Sequence, residues 1–295
     1  MPSDARERWS ELAAQFAVPE FLTDASTFEV AAGQLRQATW AQSDAMVLID
    51  RIDDEAALAH VYPVSVEPGT DGGGVFVIDA SNNPLSTALN VWPKHSHWIP
   101  FASLDDLLAT IDSVWLKALE TAAAGISAPK LASSAASSAP PAIEKSSVAE
   151  LLDAVDSMEE APRLSGSAVP EANGHLDIDL EVVMRTLGAT QSRAMNILSG
   201  TEPISADEAD LLSNETGLPT TTILGAVSPL PAELERELQE PRWRRSVRRR
   251  AVEGDEESGR LRLGYDVYQL AARQTGAGRE LWRQRLDTLL ASEAE

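Results

Sequence analysis

The sequence predicts a multidomain α+β protein: a small twisted sheet or barrel with flanking helices, a flexible linker, and an all-α C-terminal part. Short runs rich in β-branched and aromatic residues, separated by turn formers, dominate the first third of the chain. An Ala/Ser/Pro tract follows, and beyond it apolar residues recur at helical spacing between glycines. With 295 residues, of which 43% are hydrophobic, the chain is long enough for two or three domains with their own cores.

The N-terminal domain is predicted to span residues 1–124 and to sense a ligand or bind a protein partner. Its strands are predicted at Met46–Ile49, His60–Val66, Val75–Ile78, Leu89–Trp92 and His97–Phe101. Turn formers such as the Gly72–Gly74 run separate them. Helical spacing predicts flanking helices over Arg6–Phe16 and Asp105–Leu119.

Three further regions are predicted. Residues 125–146 form a linker, because alanine, serine and proline cannot pack a core and proline favours extended backbone. Residues 147–230 form a helical region in which a helix over Ser147–Met158 is separated by flexible residues 162–174 from a compact part. Residues 231–295 form an arginine-rich helical tail, with two amphipathic helices that are candidates for dimerisation.

The compact part shows four short helices with clear start and stop signals. Asp177 or Asp179 can cap a helix that Gly188 ends, and Thr190 can cap a second helix over Gln191–Leu198. A third helix begins with a capping box, Ser205 with Glu208, and ends at Gly217. Leu218-Pro219 opens the last helix. Such tight connections predict one small shared core.

Within these helices, the pattern Gly188-x-x-Gln191-Ser192-x-Ala194-x-x-Ile197-x-x-Gly200 resembles the turn and recognition helix of the lambda-repressor-like (Cro/CI, or XRE) helix-turn-helix family. The residues from Ala209 to Leu224 resemble the family's next two helices, and the resemblance covers about residues 177–226. It implies that the second helix enters the major groove of DNA while the first holds it in place.

The resemblance also implies which residues contact DNA. Gln191 can pair with an adenine edge, Ser192 can serve several bases, and Asn196 lies about one turn further along. Thr190 and Arg193 are expected to contact phosphate. The chain departs from the family where Leu180 replaces a frequent glutamine and where Met184 replaces a small residue. The family's first helix is either Ser147–Met158 or missing.

The charge distribution bears on DNA binding, because phosphate neutralisation supplies much of the affinity. The net charge is −22, yet 13 of the 24 lysines and arginines lie in residues 231–295. One short stretch holds most of the expected phosphate-contacting arginines: Arg242, Arg244, Arg245, Arg248 and Arg249. Trp243 and Val247, four residues apart, are expected to form its buried stripe. The alternative is a solvated helix paired with acids such as Asp255–Glu257.

We expect neither an enzyme nor a cofactor or metal site. The chain has no cysteine and none of the common nucleophile, phosphate-loop or zinc-protease motifs. His95 and His97 form an isolated pair that fits a strand edge better than a metal centre. The order of short strands distantly resembles the small barrel of MazF/PemK-type ribonucleases, but this stretch has few arginines to bind RNA. No apolar run predicts a membrane span and no signal pattern begins the chain, so we expect a cytoplasmic protein.

Two functional hypotheses follow. The first is a DNA-binding transcriptional regulator of the XRE type, a repressor or antitoxin-type autorepressor. It would bind double-stranded operator DNA as a homodimer and hold a protein partner through residues 1–124. The second is an acidic interaction or inhibitor protein that occupies a basic groove as DNA would and does not itself bind DNA.

Overall fold

The structure is a computed structural model that describes residues 29–66, 75–124, 142–161, 176–226, 230–251, 254–271 and 278–293. The predicted helix Arg6–Phe16, most of the predicted linker and the predicted flexible residues 162–174 lie outside this part of the chain. The chain divides into two compact units. Residues 1–162 with Glu240–Arg242 form the first, and residues 163–239 with 243–295 form the second.

The first unit contains a seven-stranded antiparallel sheet. Its strands in chain order are β1 (Gln34–Trp40), β2 (Ser43–Asp53), β3 (Leu58–Ser65), β4 (Phe76–Ile78), β5 (Leu89–Val91), β6 (His97–Pro100) and β7 (Leu104–Thr110). They lie in the order β4-β5-β3-β2-β1-β7, and β6 also pairs with β3. The prediction of an α+β fold with a small N-terminal sheet is confirmed.

This sheet is open, so the barrel alternative is wrong. A barrel closes only when its two edge strands pair with each other. Here β4 pairs with β5 and β7 pairs with β1, so the two edges stay apart. Strand β4 has three residues, which is too short to supply a closing row of hydrogen bonds.

Both faces of the central strands are covered, which explains why their sequences are apolar without strict alternation. One face of β2 and β3 buries residues such as Leu48 and Tyr62 under the helix α1 (Ser113–Ala123), which contributes Trp115. The opposite face buries residues such as Val47 and Val61 under the helix α2 (Ala142–Met158).

Two features at one edge of the sheet differ from the sequence prediction. Strand β1, which the sequence did not predict, carries an Arg36 that is fully buried. The Arg36 guanidinium donates to the Gln34 side chain at 2.8 Å and to the Asp105 carbonyl at 2.9 Å. The predicted helix Asp105–Leu119 is instead β7 followed by α1, which begins only after Asp112 caps it. Pairing with β1 overrides local propensity here.

The helix α2 belongs to the sheet rather than to the helical region predicted over residues 147–230. Its Val155 and Met158 are fully buried in the core on the second face of the sheet. His97 of β6 reinforces this packing, because its Nδ1 lies 2.9 Å from a Glu159 oxygen just beyond the helix. The helix begins at Ala142, inside the predicted linker.

The second unit begins with four short helices: α3 (Leu180–Leu187), α4 (Gln191–Leu198), α5 (Ala206–Thr216) and α6 (Thr220–Leu224). The predicted caps are present at the start of α3, α4 and α5 and at the glycines that end α3 and α5. The Asp179 carboxylate accepts from the backbone of Glu181, and Ser205 and Glu208 form the capping box. One core joins them, and its fully buried members include Val183, Ile197 and Leu212.

Four more helices complete the unit: α7 (Ala232–Leu238), α8 (Arg244–Arg250), α9 (Glu256–Ala271) and α10 (Arg279–Glu293). Trp243 and Val247 are buried in their shared core, as predicted. The helices α8 and α9 pack very closely at Gly259, since a Cβ atom there would lie 2.4 Å from the Val247 carbonyl oxygen. The buried Glu237 carboxylate accepts from Trp243, Arg279 and Arg283, which compensates its burial.

Candidate nucleic-acid interface

The helices α3 and α4 are joined by a three-residue turn whose conformation each residue favours. Gly188 ends α3 with φ 61°, a left-handed conformation that glycine adopts without a steric penalty. Its N–H donates to the Met184 carbonyl. Thr190 then begins α4, with its hydroxyl accepting from the Arg193 N–H at 3.3 Å. The turn and both helix limits were predicted from the sequence.

One face of α4 holds it against the rest of the four-helix core. Ala194 and Ile197 are fully buried in the same apolar cluster as Val183 of α3. An extended segment before α3 adds a further contact, because the Leu176 N–H donates to the Leu198 carbonyl at 3.0 Å. Packing therefore fixes which residues of α4 point outward.

The predicted contact residues divide into two groups. Thr190, Gln191 and Ser192 are exposed at the start of α4. Arg193 and Asn196 are half-buried and turn toward α5 and the loop before it. The structure thus brings three of the five to an outward-facing surface.

Arg193 bridges two carboxylates. Its Nε donates to Glu202 at 2.9 Å and its Nη2 donates to Glu208 at 2.8 Å. Burial lowers the pKa of Arg193, but its hydrogen bonds to Glu208 and Glu202 outweigh burial and raise that pKa above its ordinary value. Because Glu208 also belongs to the capping box of α5, this bridge ties α4 to the start of the next helix.

Asn196 takes part in the same loop contacts. Its carbonyl accepts from the Thr201 N–H at 2.9 Å, and its side-chain amide lies 3.5 Å from a Glu202 oxygen. The second distance is long for a hydrogen bond, so the side chain is only loosely held.

One outward residue of α4 was not predicted from the sequence. Met195 is 55% exposed, which places a large apolar side chain among the polar residues of this helix. Helical geometry contains the signal, because a residue four positions after Gln191 lies on the same side of the helix.

The surroundings of α4 are acidic. Residues 176–226 contain eight carboxylates and two arginines. Both arginines make ion pairs within this stretch, Arg193 as described and Arg185 with Glu215 at 2.7 Å. The helices α3–α6 would therefore bring little positive charge of their own to a phosphate backbone.

The arginine cluster in α8 is partly structural. Arg244 is 1% exposed and donates twice to the Glu256 carboxylate, at 2.9 and 3.2 Å. Arg248 donates to the same carboxylate at 2.8 Å. Burial raises the pKa of Glu256, but the two arginines outweigh burial and hold that pKa below its ordinary value. For Arg244 and Arg248 the structure therefore shows the alternative stated above, pairing with an acid of Asp255–Glu257.

The remaining predicted arginines differ in exposure. Arg245, Arg248 and Arg249 are exposed, and Arg242 is half-buried. The Arg249 guanidinium also donates to the Ser246 hydroxyl at 3.1 Å. Arg250, which was not singled out as a contact residue, pairs with Asp266 and Glu293.

Within the described residues, no group of three or more histidine, aspartate or glutamate side chains is placed to hold a metal ion. No helix among them is long and apolar enough to cross a membrane. No family model matches the chain, and no curated protein or solved structure is significantly similar to it.

Proposed function

We propose that the α3–α6 helices bind double-stranded DNA and that the protein regulates transcription as a homodimeric repressor of the helix-turn-helix type. The single observation that carries this proposal is the α3–turn–α4 arrangement, in which Gln191 and Ser192 are exposed while the opposite face of α4 is buried. Side chains of these two types, near the start of an outward helix, are suited to base edges in the major groove.

The acidic surroundings constrain how such binding works. Arg185 and Arg193 are engaged with carboxylates, so they contribute little free positive charge. Phosphate contacts then depend on exposed arginines elsewhere in the second unit, of which Arg245 and Arg249 are examples. Affinity for nonspecific DNA is expected to be low, and base contacts carry a larger share of the binding energy.

An antitoxin-type autorepressor is the specific form of this proposal. In that form the sheet of the first unit holds a protein partner, and the helix-turn-helix region recognises the operator of its own operon. A protein partner with basic surface would also offset the net charge of −22 when the complex approaches DNA.

The test is a fluorescence-anisotropy titration of the full-length protein with duplex DNA from upstream of its own reading frame. Specific binding is expected, and Gln191→Ala is expected to weaken it by about tenfold or more, because a bidentate base contact is lost. Gln284→Ala serves as a matched control, since Gln284 is an exposed glutamine on α10. Failure of the full-length protein to bind any duplex, including at low salt, would rule the proposal out.

The second candidate is an acidic interaction protein that does not bind DNA. The observation that favours it is that both arginines of residues 176–226 are paired with carboxylates of the same stretch. It expects no duplex affinity and a salt-sensitive complex with a basic protein encoded beside it. Purification of that neighbour and titration against this protein, with and without competing DNA, separates the two functions.

A further inference from the structure

The outward face of α4 has an apolar centre. Successive residues of an α-helix are rotated by about 100°, so Met195 lies about 40° from Gln191 and Ser192 lies about 100° from it. In projection down the helix axis Met195 therefore lies between the two exposed polar side chains, about one turn further along the helix. At 55% exposure it is the most exposed of the large apolar side chains in the described part of α3–α6.

The side chains next to Met195 point away from this outward face. Ala194 and Ile197 point into the core. Arg193 and Asn196, on the remaining side, turn toward Glu202. A recognition helix that used only polar contacts would still present an exposed thioether on the same face as its two base-contacting side chains.

The major groove offers a matching apolar element. Of the four bases only thymine presents a methyl group there, and apolar side chains contact it. Methionine suits this contact because its chain is unbranched, flexible and polarisable. Exposed single apolar residues are common on protein surfaces. Met195 differs from them in its position on the outward face of α4, beside Gln191 and Ser192.

We infer that Met195 is a specificity-determining residue that packs on a thymine methyl group beside the base read by Gln191. This inference rests on the proposed function. It predicts that each recognised half-site contains a required thymine next to the adenine that Gln191 contacts. It also reassigns base reading from Asn196 to Met195.

The test changes both partners of the proposed contact: the thymine methyl group is removed from the DNA, and the Met195 side chain is shortened in the protein. Full-length protein first selects a duplex from a randomised library, and each thymine of that duplex is then replaced in turn by deoxyuridine. One replacement is expected to weaken binding about fourfold, the effect of one methyl group withdrawn from apolar contact. Met195→Ala is expected to bind the parent duplex about fourfold more weakly than the wild type does. Its affinity should not change when the same thymine is replaced by deoxyuridine.

The controls separate failure of this inference from failure of the proposed function. Leu211→Ala removes a side chain that is 52% exposed on α5 and should keep the sensitivity to the methyl group. If the wild type binds DNA but Met195→Ala keeps the full sensitivity, or no thymine is sensitive, the inference is wrong and the proposed function stands. If Met195→Ala changes only the oligomeric state, Met195 contacts protein instead. If no duplex is selected, both fail.

Discussion

Arg193 illustrates how a single residue can differ from the role its type and position suggest. An arginine in the first turn of a recognition helix is a natural phosphate contact. Here its side chain is 26% exposed and bonded to two carboxylates that are themselves about equally shielded. A charged group with two such partners stabilises the link between α4 and α5, and releasing it to contact phosphate would cost both hydrogen bonds.

We therefore predict that Arg193→Ala loosens α4 and the start of α5. Loss of two charge-assisted hydrogen bonds is expected to cost about 1–2 kcal/mol of local stability. Amide hydrogens of residues 190–216 in the full-length protein should then exchange about five- to thirtyfold faster, measured by mass spectrometry.

The matched control for this prediction is Arg185→Ala. Arg185 makes a single ion pair in which its side chain is 62% exposed and that of Glu215 is 47% exposed. Exposed pairs of this kind contribute between nothing and about 1 kcal/mol. Equal exchange rates in the two variants would contradict the assigned role of Arg193.

Among single residues, the sequence predicted the turn between α3 and α4 but not the ion-pair partners of Arg193. Gly188 and Thr190 act through their own backbone and nearest neighbours, so the sequence alone located the turn. The partners of Arg193 lie nine and fifteen residues away, at Glu202 and Glu208. Their pairing depends on how α4 packs on α5, which no local pattern encodes.

At the scale of secondary-structure elements, local capping signals located the short helices α3–α6, whereas β1 and β7, which are held by long-range pairing, were not predicted. The end of α3 at Gly188, the start of α4 at Thr190 and both limits of α5 follow from glycine, threonine and capping-box signals. Strand β1 has a polar sequence and is a strand because β2 and β7 flank it. The helix α2 has a helical pattern, but only tertiary packing decides that it covers the sheet.

The close packing of α8 on α9 makes the second unit sensitive to acid through one carboxylate. Glu256 is held by Arg244 and Arg248, and its pKa lies below its ordinary value. A carboxylate whose pKa is lower in the folded than in the unfolded state stabilises the fold above its unfolded pKa. That stabilisation is lost as the pH falls through the folded pKa.

We predict that Glu256→Gln destabilises the protein at pH 6, by about 2 kcal/mol, because Arg244 keeps its buried position without an opposite charge. The difference from the wild type should shrink as the pH is lowered from 6 through the lowered pKa of Glu256, where the wild-type carboxylate also becomes neutral. Urea unfolding followed by tryptophan fluorescence measures both variants.

The other carboxylates are the same in the wild type and in Glu256→Gln. Burial raises the pKa of Glu235, Glu257 and Asp266, so these groups favour folding as the pH falls, but they are present in both proteins. Only the difference between the variants reports on Glu256. A difference that does not change with pH would show that the side chain acts by shape and hydrogen bonding, not by charge.

At the scale of the whole molecule, the net charge of −22 opposes approach to DNA. Much of this charge lies in the first 125 residues, which contain 18 acids and six bases. A DNA-binding region in such a molecule needs local positive charge or a basic partner, because counterion release from phosphate is a main source of affinity. The exposed arginines of α8 are the candidates for the local source.

We predict that the double variant Arg245→Ala/Arg249→Ala reduces the salt dependence of DNA binding. Each phosphate contact contributes about 0.9 to the slope of log affinity against log salt concentration, so losing two should lower the slope by about 1.8. The measurement is an anisotropy titration of the selected duplex at several salt concentrations.

Lys117→Ala is the control, because Lys117 is exposed on α1 and its loss also makes the net charge more negative. If Lys117→Ala lowers the salt-dependence slope by as much per charge removed as the double variant does, the arginines act only through the total charge of the protein. If the slope is unchanged in the double variant, Arg245 and Arg249 do not contact phosphate, and the prediction is wrong.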